Sequence, residues 1–288
     1  MKTIIKSLST LSIFIIGVAN AQNASIVKGF NHVESVTTDG KFIYAADIGK
    51  ELNPTGKDGD GKILKLDLKG KIIDSAFSKE TLNAPKGITI ANGILFIADV
   101  DRLVALDIKS GKKLYNITFN DGISFLNDIS VVDKNTLYIS ATDKNKIYKV
   151  NLVTKSYTEL KINKTIAGVN GLYYDKKSNC LYVNGFGADN KPNGMVGYIN
   201  LVKSEFTQLA NIEGYFDGIW LNNNILYTSN WVAFEKKGVI QAIDLKTNQV
   251  SEVKLNELIA GPADFIITKT QIIVPEMMTG TIQFINLK

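Results

Sequence analysis

The sequence predicts an all-β fold, a six-bladed β-propeller with four-stranded antiparallel blades. Three observations predict it. One short pattern returns six times along the chain. The returns are spaced 52, 41, 43, 47 and 46 residues apart, which is the length of a blade. Each period holds short apolar runs separated by turn residues, and long stretches of 3.6-residue periodicity are absent. A β-sandwich offers no reason for six aligned returns.

The pattern is a polar residue, a small or polar residue, then an apolar strand. In order it reads Glu34-Ser35-Val36, Lys86-Gly87-Ile88, Asn127-Asp128-Ile129, Asn170-Gly171-Leu172, Asp217-Gly218-Ile219 and Ala263-Asp264-Phe265. A second strand follows each, for example Phe42 to Ala46, Leu95 to Ala98, Leu137 to Ser140 and Leu226 to Ser229. Third and fourth strands are readable in most periods. Leu103 to Asp107 and Lys113 to Ile117 flank the turn Lys109-Ser110-Gly111, and Val239 to Asp244 and Val250 to Val253 flank Lys246-Thr247-Asn248.

The sixth period ends after three strands. The stretch Ala24 to Gly29 is a strand with no period of its own. It is expected to complete the last blade, closing the ring and removing two open edges.

Met1 to Ala21 reads as a secretory signal peptide, with Lys2 and Lys6 at its start, an apolar Leu8 to Val18 and the cleavage element Ala19-Asn20-Ala21. The mature domain would then be residues 22–288, located in the periplasm or secreted. The apolar run is too short for a membrane span. The formal net charge is +5 and falls to about +3 without Lys2 and Lys6. The lysines are dispersed, without a basic stretch carrying interleaved aromatics, which argues against nucleic acid as partner. The single Cys180 lies in an apolar strand pattern, reads as a core residue, and cannot form an intramolecular disulfide.

In a propeller the innermost strands line the channel, so Glu34, Lys86, Asn127, Asn170, Asp217 and Ala263 are expected around one mouth. Converging carboxylate and amide oxygens suit a hard divalent cation, Ca2+ first and Mg2+ next. Mn2+ and Zn2+ are the remaining candidates, although one His and one Cys give no set of zinc-type ligands. Taken singly, Asn-Gly and Asp-Gly are also ordinary turn dipeptides.

These elements resemble the family of SMP-30, gluconolactonases and luciferin-regenerating enzyme across essentially the whole mature chain. The likeness rests on His32-Val33-Glu34-Ser35-Val36, Phe125-Leu126-Asn127-Asp128-Ile129, Val169-Asn170-Gly171-Leu172 and Phe216-Asp217-Gly218-Ile219. The resemblance implies a divalent metal on Glu34, Asn170 and Asp217, with Asn127 contacting substrate or water. It further implies Asp217 as general base for attack on a lactone or ester. Lys86 departs from that pattern, because an ammonium repels a cation and could pair with Glu34 instead. Leu82-Asn83-Ala84-Pro85-Lys86-Gly87-Ile88 is similar to NHL-type repeats. That element and Lys86 favour a second reading, a non-catalytic propeller that binds a small ligand or a partner protein at the same mouth.

Lys57-Asp58-Gly59-Asp60-Gly61-Lys62 lacks the full ligand spacing of a calcium loop and reads as an insertion able to overhang the mouth. Trp231 is expected at the rim as a platform for a sugar or planar substrate, with Gly185-Phe186-Gly187 similarly placed. His32, the one histidine, reads as a packed turn residue. A Ser-His-Asp triad needs a His near a nucleophilic Ser, and no G-x-S-x-G element is present.

Overall fold

A computed structural model describes residues 25–287. The signal peptide assigned to Met1–Ala21 lies outside the described residues. Six sheets stand around a central channel, and each follows the order inner, second, third and outer strand. The inner strands are Val33–Thr38, Pro85–Ala91, Leu126–Asp133, Val169–Asp175, Phe216–Asn222 and the short Ile266–Ile267. All pairing within the blades is antiparallel.

The expected closure is present. Ser25–Lys28 pairs antiparallel with Thr281–Asn286, placing Ser25 opposite Phe284 and Lys28 opposite Thr281. The first strand among the described residues is thus the outer strand of the last blade, and the edge of Thr281–Asn286 is covered.

Both faces of the central strands are apolar because each blade is packed between two others. Blades 2 and 3 bury Phe96, Leu103, Ile129 and Leu137 between them. Blades 6 and 1 do the same with Ile43, Leu66, Ile273 and Phe284, and blades 3 and 4 with Tyr138, Leu172, Leu181 and Ile199. Cys180 belongs to the apolar layer between blades 4 and 5, as expected. Among the described residues no helix is long and apolar enough to cross a membrane.

Neighbouring blades approach closely at their inner ends. A Cβ on Gly87 would sit 2.5 Å from the Asn127 carbonyl oxygen, and one on Gly218 would sit 2.8 Å from that of Ala263. Glycine is needed at these places for the approach of the neighbouring strand. The turn reading of the Asn-Gly and Asp-Gly pairs is therefore corrected: they lie within inner strands.

Candidate functional site

Each ring residue of blades 1 to 5 is the second residue of its inner strand, so the triplets lie inside the strands instead of preceding them. There the pairing to the second strand slips. The register breaks between Val33 and Ser35, Pro85 and Ile88, Leu126 and Ile129, Val169 and Leu172, and Phe216 and Ile219. Such bulges bend a strand and re-aim its side chains. Blade 6 lacks a bulged inner strand. Its Ala263 is buried and donates its N–H to the Pro275 carbonyl at 3.2 Å.

Glu34, Lys86, Asn127, Asn170 and Asp217 all line one cavity of about 400 Å³ at the channel mouth. That volume lies in the range of small-molecule sites. The polar groups form its floor. Phe125, Phe186, Trp231, Phe234, Leu52 and Pro54 contribute apolar wall.

Three floor oxygens are buried without a hydrogen-bond partner: Oε2 of Glu34, Oδ1 of Asn127 and Oδ1 of Asp217. Neighbouring groups fix two of them. Asn127 donates Nδ2–H to the Thr142 hydroxyl at 3.1 Å, and that hydroxyl donates to the Val169 carbonyl at 2.8 Å. Because the Thr142 proton is already used, the amide nitrogen must face Thr142 and Oδ1 is left over. Trp231 donates its indole N–H to Oδ2 of Asp217 at 3.1 Å, which leaves Oδ1 of that carboxylate over. The ring of Trp231 is 4 % exposed, so it forms buried wall beneath the rim.

Lys86 is 0 % exposed. Its ammonium donates to the carbonyls of Pro54 at 2.7 Å and Ala84 at 2.8 Å, and the Phe125 ring lies beneath it at 5.1 Å. The pairing expected with Glu34 gives way to these carbonyls, because the insertion after the second strand of blade 1 reaches over and offers Pro54. Leu52 and Pro54 line the cavity, so the chain just after the second strand of blade 1 overhangs the mouth, whereas the expected loop Lys57 to Lys62 contributes no residue to the lining.

The charges perturb one another strongly. Burial, then the charges of Asp217 and Asp264, hold the Glu34 carboxyl well above the usual carboxylate range, against the pull of Lys86. Burial pushes Asp217 up to about 8, with Asp264 adding to it and the Trp231 bond opposing. Burial brings the Lys86 ammonium down to about 8 against the attraction of Glu34, Asp99 and Asp143. Buried carboxyls that lack compensation fit a missing positive charge, and oxygen-only donors fit a hard cation. Among the described residues no three His, Cys, Asp or Glu side chains form a metal cluster. A cation here would rest on two carboxylates plus amide oxygen.

A second tier, one residue further along the chain from the ring positions, was not among the expected site residues. Asp128 accepts from the N–H groups of Ile129 and Leu172, both at 2.6 Å. Ser35 donates to Asp264 at 2.7 Å and accepts from the Ile88 N–H at 3.2 Å. Asp128 and Asp264 line a second cavity of about 330 Å³ toward the other end of the channel. Their place as second members of the returning pattern was the available signal. His32 is bound by its Nδ1 to the Met277 carbonyl at 3.0 Å, a packed position between the first and last blades.

No family model matches the chain, and no curated protein matches it. Solved structures do. Virginiamycin B lyase from Staphylococcus aureus superposes with a TM-score of 0.64 at 15% identity, covering 92% of this chain and 99% of that one. A streptogramin B lyase gives 0.62 at 15% identity over 92% and 98%. A chain of a nidogen–laminin complex gives 0.58 at 10% identity over 88% and 85%. At these identities the likeness is one of fold: the SMP-30 resemblance finds no sequence match, and the chain stands as a six-bladed β-propeller similar to these lyases and to the nidogen–laminin propeller.

Proposed function

We propose that this propeller is an exported, divalent-cation-dependent hydrolase of a small ester or lactone, acting at the cavity floored by Glu34, Asn127, Asn170 and Asp217. One observation carries the reading. Three buried oxygens without partners belong to side chains from three different blades and line one cavity. Buried polar atoms ordinarily find partners, so their convergence points to a guest.

Glu34, Asn170 and Asp217 would hold the cation, with Ca2+ the first candidate and Mg2+, Mn2+ and Zn2+ behind it. When bound, such a cation polarises a carbonyl and favours the carboxylate forms of Glu34 and Asp217. Asn127 orients the substrate or the attacking water through its fixed amide oxygen. Asp217, steadied by Trp231, takes a proton from that water. The water oxygen bonds to the acyl carbon and the acyl C–O bond breaks. The proton passes from Asp217 to the departing oxygen, giving an acid and an alcohol, or one hydroxy acid from a lactone.

Calorimetric titration with the four cations tests this directly. Wild-type protein should bind at least one saturably, and Asp217→Ala should not. A flat titration at millimolar metal would end the proposal. A lactone panel followed by acid release should lose its turnover in Glu34→Ala.

The buried Lys86 ammonium favours a second reading, a site that binds a ligand or partner protein without catalysis. Ligand binding that is indifferent to cations, with no acid release, would select it.

A further inference from the structure

Resting on the hydrolase reading, we infer that the cavity selects an ester or lactone with a flat, apolar body and not a polyol lactone. The evidence is the division of the cavity into a polar floor and an apolar wall.

On one side Phe186, Trp231 and Phe234 pack edge to face or tilted, with centroids 5.5 to 6.1 Å apart. Phe234 is 52 % exposed, although it caps this group at the mouth. On the other side stand Leu52 and Pro54. Phe186 and Phe234 follow the second strands of blades 4 and 5, while Leu52 and Pro54 follow that of blade 1. Blade 4 lies opposite blade 1 in a six-membered ring and blade 5 is its neighbour, so Phe186 faces Leu52 and Pro54 across the mouth with Trp231 and Phe234 beside it. A polyol placed between them would lose water from its hydroxyls, with Asp189 and Asn190 as the polar groups that this wall offers in return. A flat apolar group would gain ring contacts on one side and aliphatic contacts on the other.

The backbone is built around this wall. Val232, between Trp231 and Phe234, has a φ of 61°, a left-handed conformation that is costly for a β-branched residue. Gly261, at a φ of 67°, leaves room for the indole, since a Cβ there would sit 3.0 Å from the Trp231 ring. Strain held at such a place commonly belongs to a site.

The test compares two carboxylates that differ in their body, 2-naphthoate and gluconate, with and without Ca2+. The Trp220→Phe background leaves Trp231 as the sole tryptophan, and its quenching reports occupancy, with calorimetry as a second readout. Naphthoate should bind about ten-fold tighter than gluconate. Phe234→Ala, at an exposed position, should remove most of that advantage and leave gluconate unchanged, while Phe234→Tyr should keep it. Equal binding, tighter gluconate, or no naphthoate binding at millimolar concentration overturns the inference. Turnover of gluconolactone without that of an aryl lactone overturns it too, while sparing the hydrolase reading. Naphthoate preference without turnover of any ester or lactone does the reverse.

Discussion

Two neighbouring tiers of the channel, one residue apart along the chain, behave in opposite ways. In the mouth tier, Glu34, Asn127 and Asp217 keep oxygens without partners. One residue further on, Asp128 accepts two backbone N–H groups and Asp264 accepts the Ser35 hydroxyl. Polar side chains are buried in both tiers, but only the mouth tier leaves carboxylate and amide oxygens unpaired, while the second uses its carboxylates to join one blade to the next. Burial and charge therefore do not separate a site from a structural network. Satisfaction of hydrogen bonds does.

The largest expected effect tests the mouth tier. Asp217→Ala should lower ester or lactone turnover about 100-fold or more. Its melting temperature should hold or rise, because a buried carboxyl short of partners is removed. A collapse in stability would move Asp217 into the structural class.

Gly171→Ala comes next and joins the two tiers. Its Cβ would run into the backbone carbonyl of Asp217. The inner strands of blades 4 and 5 would have to separate, at a cost of roughly 1–3 kcal/mol. Cation binding should weaken with it, since Asp217 moves. Denaturant titration beside calorimetry reads both.

Asp128→Ala should cost a similar or smaller amount, roughly 1–3 kcal/mol, by leaving the Leu172 and Ile129 N–H groups unpaired. Cation affinity should stay near wild type. Loss of affinity without loss of stability would erase the distinction between the tiers.

The smallest effect is a pH dependence. Burial raises Asp264 to about 7, against the Ser35 bond. The unfolded carboxyl ionises near 4. Its contribution to stability is therefore fully present below about pH 4 and is lost as pH rises through about 7. Asp264→Asn removes that slope and keeps an acceptor for Ser35. The variant should melt a few degrees above wild type at pH 8, with the gap closing near pH 4. A gap that is constant with pH would place Asp264 outside this account.

The sequence made the ring legible because the returns carry the same apolar and turn residues. Five polar ring members could be named for the same reason, and all five line the mouth cavity. The second tier was hidden by the bulge. Regular strands send neighbours to opposite faces, so Asn127 and Asp128 should not both serve the channel. The slip in pairing allows it. The bond from Lys86 to Pro54 was beyond reach because it spans 32 residues and depends on how an insertion folds back. The same holds for the indole of Trp231 on Asp217, which requires knowing that the ring turns inward.

The pairing of Ser25–Lys28 with Thr281–Asn286 has a consequence for biogenesis. The earliest strand of the domain to be synthesised must wait for the latest before it finds its place. During that interval the final sheet offers a bare flank to any other extended peptide. The slow step of maturation should be this buckling of the two chain ends, well after the blades between them have formed.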